Sequence, residues 1–94
     1  MRRARRYLIG GRVQGVGFRA FAEAMALREG LHGWVRNTRG GDVEIRAEGV
    51  AEALERFERA IAHGPPQARV DDLDVTDLGA DGRDTGFTVR GSAD

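Results

Sequence analysis

The chain has no cysteine and no lysine, and each absence excludes a class of chemistry. Without cysteine there is no disulfide framework and no thiol nucleophile. Without lysine the chain cannot carry the phosphate loop GxxxxGK[ST], whose lysine reaches the bound phosphates. The two histidines, His32 and His63, lack the spacing of metal ligands, and we interpret both as ordinary polar positions. We therefore expect neither a metal ion nor an organic cofactor.

Long hydrophobic runs are also missing. The longest near the start, Tyr7-Leu8-Ile9, is too short for the core of an export signal, and no segment could span a membrane. The length of 94 residues predicts one domain over residues 1–94, with a core at about residues 5–91 and a site on its surface. We expect a monomeric, cytoplasmic protein that does not bind membranes.

Net charge is zero, but the charges are divided unevenly along the chain. Up to Arg46 there are ten arginines and four acids, and from Ala47 onward five arginines and eleven acids. This asymmetry predicts that the first half carries a surface for anions. The arginines before the first apolar run, Arg2, Arg3, Arg5 and Arg6, are interpreted as a solvated start of the chain.

Hydrophobic periodicity predicts the order β-α-β-β-α-β with a short closing strand. The predicted strands cover Arg5–Val13, Leu31–Asn37, Asp42–Glu48, a stretch around residues 70–75 of irregular register, and Phe87–Val89, and the helices cover Phe18–Glu29 and residues 50–61. This order is typical of the ferredoxin-like α+β fold, an antiparallel sheet with both helices on one face. We predict Phe18, Trp34 and Phe57 in the core, and a solvated outer face on the third strand, formed by Asp42, Glu44, Arg46 and Glu48.

Four glycines lie in the connection between the first strand and the first helix, in the sequence Gly10-Gly11-Arg12-Val13-Gln14-Gly15-Val16-Gly17-Phe18-Arg19. Glycine lets successive backbone N–H groups converge on an anion at the start of a helix, and the guanidinium of Arg19 can bind two phosphoryl oxygens. The predicted phosphate loop consists of Gln14, Gly15, Val16, Gly17, Phe18 and Arg19. The pattern G-x-G-x-x-A of dinucleotide-binding folds also fits this loop. Such a fold needs an acidic residue at the end of the next strand, whereas here that strand ends at Asn37 and leads into a hairpin, so we do not expect a dinucleotide site.

Two blocks of the chain resemble the signature blocks of the acylphosphatases, with matching spacing. They are Gly11-Arg12-Val13-Gln14-Gly15-Val16-Gly17-Phe18-Arg19 and Gly33-Trp34-Val35-Arg36-Asn37, and weaker resemblance extends from Tyr7 to Arg90. The resemblance implies a ferredoxin-like fold and hydrolysis of acyl phosphates to a carboxylate and inorganic phosphate. The phosphate-binding arginine of the family falls on Arg19, and its water-orienting asparagine falls on Asn37.

The residues of the two blocks are consistent with this reaction on chemical grounds. An acyl phosphate leaves as a carboxylate whose conjugate acid has a pKa of roughly 4, so its departure needs no general acid. Neither block offers a nucleophile, and phosphoryl transfer can proceed by positioning and charge stabilisation alone. We expect Arg19 and Asn37 to be catalytic, a small acyl phosphate as substrate, and inorganic phosphate as product and inhibitor.

Two other classes of function remain open. The chain could be a module that binds phosphate or carbamoyl phosphate without catalysis, since related domains occur within larger maturation enzymes. It could also bind RNA, as many sheets of this topology do, but that requires exposed aromatic side chains on the sheet, and the outward positions of the third strand are charged. We therefore expect no nucleic-acid partner.

Overall fold

The computed structural model describes residues 1–91, which form five strands and two helices. In chain order these are β1 (Arg2–Arg12), α1 (Phe18–Arg28), β2 (His32–Asn37), β3 (Val43–Val50), α2 (Ala51–His63), β4 (Arg69–Leu78) and β5 (Phe87–Val89). The predicted order of elements is confirmed. No helix within residues 1–91 is long and apolar enough to cross a membrane.

The strands form one sheet in the order β4-β1-β3-β2-β5. The pairs β1–β3, β1–β4 and β2–β3 are antiparallel, as predicted, whereas β5 runs parallel to β2 and makes the sheet mixed. The register of β4 against β1 shifts between Gly10 and Gly11, which accounts for the irregular pattern of β4 in the sequence. The ferredoxin-like α+β fold class is confirmed.

The core lies between the sheet and the two helices. Every second residue along the strands faces the helices. Helix α2 contributes side chains at the three- and four-residue intervals of one helix face. Phe57 of α2 lies at the centre, with its ring edge-on to those of Tyr7 and Phe87 at centroid distances of 5.8 and 6.3 Å. The predicted core positions Phe18 and Phe57 are buried.

The open face of the sheet, which we define as the face away from the helices, is not solvated along β3 as the sequence suggested. Glu44 is 7% and Glu48 2% exposed. Arg6 and Arg36, from the strands on either side, bind the Glu44 carboxylate at 2.6 and 2.7 Å. Burial alone would raise the pKa of Glu44, but these two hydrogen-bonded guanidiniums outweigh it and hold the pKa below its ordinary value.

Glu48 binds the connection between β4 and β5 to the open face. Its carboxylate accepts hydrogen bonds from the backbone N–H groups of Asp81 and Gly82 at 3.2 and 3.0 Å, and Arg2 binds it at 3.1 Å. Burial opposes ionisation, yet these donors lower the pKa of Glu48. Arg46 adds an ion pair to Asp84 at 2.8 Å. Hydrogen bonds to the buried Glu48 and the ion pair of Arg46 with Asp84 therefore hold the connection against the open face.

Two further expectations from the sequence are corrected. The first arginines are solvated only in part: Arg2 and Arg3 are exposed, but Arg2 pairs with Glu48, Arg6 with Glu44, and Arg5 with Glu58 at 3.1 Å. Trp34 is not in the core but on the open face, where the guanidinium carbons of Arg36 and Arg90 lie 4.9 and 4.5 Å from its ring centroid. Alternation along β2 places Val35, not Trp34, against the helices.

Candidate active site

The loop between β1 and α1 depends on two glycines in the left-handed region. Gly15 has φ +74° and Gly17 has φ +80°, and Gly17 is the N-cap of α1. Open space surrounds both α-carbons, so a side chain would be disfavoured by the backbone conformation rather than by a clash. These two residues turn the chain from β1 into the helix.

The amides of this loop are available to a ligand. No hydrogen bond within residues 1–91 uses the N–H groups of residues 14–17. The first turn of α1 contains no acidic residue, and no side chain caps its N-terminus. Free N–H groups and the positive end of the helix dipole together favour an anion at this position.

Arg19 is held beside the loop by Arg90, the residue that follows β5. As the second residue of α1 it is half-buried, and its Nη1 donates a hydrogen bond to the carbonyl oxygen of Arg90 at 3.1 Å. The N–H of Arg90 in turn donates to the carbonyl oxygen of Val35 at 2.8 Å. In the described part of the chain Arg19 forms no ion pair with a carboxylate. Its guanidinium therefore keeps donors for an anion.

Asn37 is the last residue of β2, and Gln14 connects the phosphate loop to the turn that follows it. The side-chain Nε2 of Gln14 donates to the carbonyl oxygens of Thr38 and Asp42, both at 2.8 Å. Gln14 thus fixes the distance between the loop and the end of β2. Its side chain is directed at the turn, although the sequence suggested that it binds the ligand.

A cavity of about 330 Å³ lies between these segments. Of the predicted site residues it brings together Gly15, Gly17, Phe18, Arg19 and Asn37. Gln14 and Val16 do not line it, because the Gln14 side chain binds the turn and the Val16 side chain packs against the core. The Phe18 side chain is itself buried, so this residue borders the cavity at the start of α1.

Four residues that the sequence analysis did not select also line the cavity: Val13, Ala20, Glu23 and Val89. Glu23 could have been found, since it follows Arg19 by four residues and so shares its helix face. Val89 has no local signature, because only the parallel pairing of β5 with β2 brings it here. Over residues 1–91, no three acidic or histidine side chains lie close enough together to hold a metal ion.

Residues 5–89 match the family model described as Acylphosphatase. The chain belongs to the acylphosphatase family. An acylphosphatase of Anaeromyxobacter sp. (strain Fw109-5) is 50% identical over 84 residues, which cover 88% of this chain and 89% of that protein. The acylphosphatase of Koribacter versatilis (strain Ellin345) is 43% identical over 88 residues, covering 94% of this chain and 80% of that one.

Solved acylphosphatase structures have the same fold. The crystal structure of the acylphosphatase from Bacillus subtilis superposes with a TM-score of 0.90 at 40% identity, covering 96% of this chain and 99% of that one. Full-length HypF in its phosphate- and nucleotide-bound form contains a region with a TM-score of 0.90 at 33% identity, covering 98% of this chain but 12% of that one. Acylphosphatase-like domains therefore occur both by themselves and within a longer protein.

Proposed function

We propose that this acylphosphatase hydrolyses the carboxyl–phosphate anhydride of small acyl phosphates by in-line attack of water. The observation that carries the proposal is that Arg19 and Asn37 line the same cavity as Gly15 and Gly17. An anion site, a permanent cation and a neutral amide thus share one ligand-sized space. Membership of the acylphosphatase family supports the same reaction.

The phosphoryl group binds to the loop amides and to Arg19. The backbone N–H groups of residues 15–19 and the Arg19 guanidinium stabilise the equatorial oxygens, where negative charge is spread in the transition state. Because Arg90 holds one end of the guanidinium, Arg19 need not be immobilised again when substrate binds. This loop binds charge and supplies no nucleophile.

Asn37 orients the attacking water. Its side-chain oxygen accepts a hydrogen bond from the water and directs it in line with the bond to the leaving oxygen. The proton passes to a phosphoryl oxygen of the substrate, and the acyl group departs as a carboxylate that is stable without protonation at neutral pH. No acid or base from the chain takes part in this step.

Two variants test these roles. We expect Arg19→Ala to abolish both phosphate binding and turnover of acetyl phosphate. Asn37→Ala removes only the group that orients water, so the rate should fall by about 100- to 1,000-fold with little change in phosphate affinity. The measurements are steady-state release of phosphate and calorimetric titration with inorganic phosphate, a product and expected inhibitor.

The matched control is Arg28→Ala, which removes an exposed arginine from the other end of α1. It should leave both phosphate affinity and turnover unchanged. Wild-type turnover in Asn37→Ala would defeat the role of that residue, and retained phosphate binding in Arg19→Ala would defeat the proposed anion site.

A module that binds phosphate without hydrolysis is the second candidate, and the similarity to a region of phosphate-bound HypF favours it. It predicts phosphate binding by the wild-type chain without release of phosphate from acetyl or carbamoyl phosphate. Our proposal further includes a cytoplasmic monomer that needs no metal ion and binds no RNA. Undiminished turnover in EDTA and the absence of RNA binding at low salt are its expected results.

A further inference from the structure

The cavity, with a volume of about 330 Å³, has room for more than a phosphoryl group, and its remaining wall differs in character from the loop. Besides Val13, which is itself buried, Ala20, Glu23 and Val89 line it in addition to the residues assigned to the phosphoryl group and the water. Val89 is 42% exposed, which is high for a large apolar side chain. This wall is therefore two apolar surfaces and one carboxylate.

In-line attack determines the direction in which the acyl group of the substrate extends, and so which residues it meets. The leaving oxygen must lie opposite the attacking water, so an acyl group extends away from the water that Asn37 orients. Once the loop and Arg19 hold the phosphoryl group, the unassigned residues that are not buried, Ala20, Glu23 and Val89, are left to border the acyl group. An apolar acyl group would cover the exposed side of Val89.

No ion pair within the described residues neutralises the charge of Glu23. Among residues 1–91 no arginine or histidine forms an ion pair with it, and it takes part in no side-chain hydrogen bond. Arg19, one helical turn earlier on the same face, donates to the Arg90 carbonyl instead. A free carboxylate thus borders the same cavity as the cationic phosphoryl site.

We propose that Glu23 selects the acyl group by its charge, so that this enzyme prefers acyl phosphates of monocarboxylic acids, neutral or cationic, over those that carry a second carboxylate. The inference rests on the proposed function and adds a specificity-determining residue to it. A second carboxylate on the acyl group would approach Glu23 as a like charge, and an ammonium group as an opposite charge. Neither effect acts on the phosphoryl group, which all substrates share.

Three substrates that share the benzoyl phosphate frame separate this effect from binding of phosphate. They are benzoyl phosphate and its 4-carboxy and 4-aminomethyl derivatives, which differ in the charge at the far end of the acyl group. For the wild-type chain we expect kcat/KM for the carboxy derivative to lie about 3- to 10-fold below that for benzoyl phosphate at low ionic strength. Adding 0.5 M salt should reduce this difference in kcat/KM, because the Debye length then falls to roughly 4 Å.

Glu23→Gln should bring the three kcat/KM values together, raising that of the carboxy derivative and lowering that of the aminomethyl derivative. Because each substrate is compared between wild type and variant, differences in intrinsic reactivity cancel. The control is Glu55→Gln on α2, an exposed acid outside the cavity, which should leave the ratios unchanged.

An equal change for all three substrates in Glu23→Gln would overturn the assignment of Glu23. The proposed function is judged separately, on benzoyl phosphate alone. If the wild-type chain does not hydrolyse it, or if Arg19→Ala still does, the reaction mechanism fails. If that test succeeds while the charge ratios do not respond to Glu23, only the inference on specificity fails.

Discussion

Gln14 shows how one side chain can link two parts of the candidate site. Its side-chain amide donates to the carbonyl oxygens of Thr38 and Asp42, so the loop that we propose binds phosphate and the strand end that presents Asn37 are tied together. Catalysis by positioning is sensitive to shifts of about 1 Å between such groups. We therefore propose that Gln14 is a positioning residue.

Gln14→Leu keeps the size of the side chain and removes both hydrogen bonds. We expect kcat to fall by about 10-fold, because the water and the phosphoryl group lose alignment, while affinity for inorganic phosphate changes little. Stability should fall by about 1 to 2 kcal/mol. Steady-state kinetics, phosphate titration and thermal unfolding measure the three effects.

Thr38→Val is the control for Gln14, since it removes the hydrogen bond from the Asp42 N–H to the Thr38 hydroxyl within the same turn and leaves the link to the loop in place. It should keep kcat near the wild-type value. If Gln14→Leu instead weakens phosphate binding and leaves kcat unchanged, Gln14 contacts the ligand directly.

At the scale of single elements, β3 has two buried faces of opposite chemistry. Val43, Ile45 and Ala47 pack against the helices, while Glu44 and Glu48 are buried on the open face by arginines and by the β4–β5 connection. Glu48 lies at the end of the sheet away from the phosphate loop. The connection it holds leads into β5, which supplies Val89 and precedes Arg90.

Removal of the Glu48 carboxylate should release this connection. We expect Glu48→Ala to lower the free energy of unfolding by about 2 to 4 kcal/mol, because two backbone N–H groups and Arg2 lose their acceptor. For a chain of this size the melting temperature should fall by roughly 10 °C or more.

The control for Glu48 is Asp74→Ala, an exposed acid on β4 that forms no ion pair within the described residues. Its melting temperature should stay within a few degrees of wild type. A stable Glu48→Ala variant would mean that the β4–β5 connection is held by Arg46 and its partners alone.

The sequence predicted these elements well but not their surroundings. Local periodicity was sufficient for the order and approximate bounds of the elements. The two sequence blocks selected Arg19 and Asn37, and both residues line one cavity, but their roles stay a prediction. Alternation on β3 correctly separated its two faces, but it could not show that distant arginines and residues 79–86 cover one of them. Trp34 was assigned to the wrong face because a large aromatic residue is usually buried, whereas two arginines cover it here.

For the molecule as a whole, the two buried carboxylates predict how stability depends on pH. The pKa values of Glu44 and Glu48 lie below the ordinary 4.5 in the folded chain. Groups of this kind stabilise the fold above their unfolded pKa, and the stabilisation is lost as pH falls through the folded pKa. Their contribution should be constant between pH 7 and about pH 5.5 and should decline below roughly pH 4.5.

Thermal unfolding between pH 7 and pH 3 tests this dependence. The double variant Glu44→Gln/Glu48→Gln should be less stable than wild type at pH 7, and its melting temperature should change less on acidification. Equal slopes below pH 4.5 in wild type and variant would show that other acids dominate the response.

The place of β1 inside the sheet, between β4 and β3, has a consequence for how the chain folds. Ala4 pairs with Glu48 on one side and with Leu78 on the other, so the first strand finds its partners only after long loops have closed. Chains dominated by such distant pairings cross their folding barrier slowly, in milliseconds to seconds. The loop that follows β1 is anchored by this strand, so we expect its geometry to form together with the long-range pairing of β1.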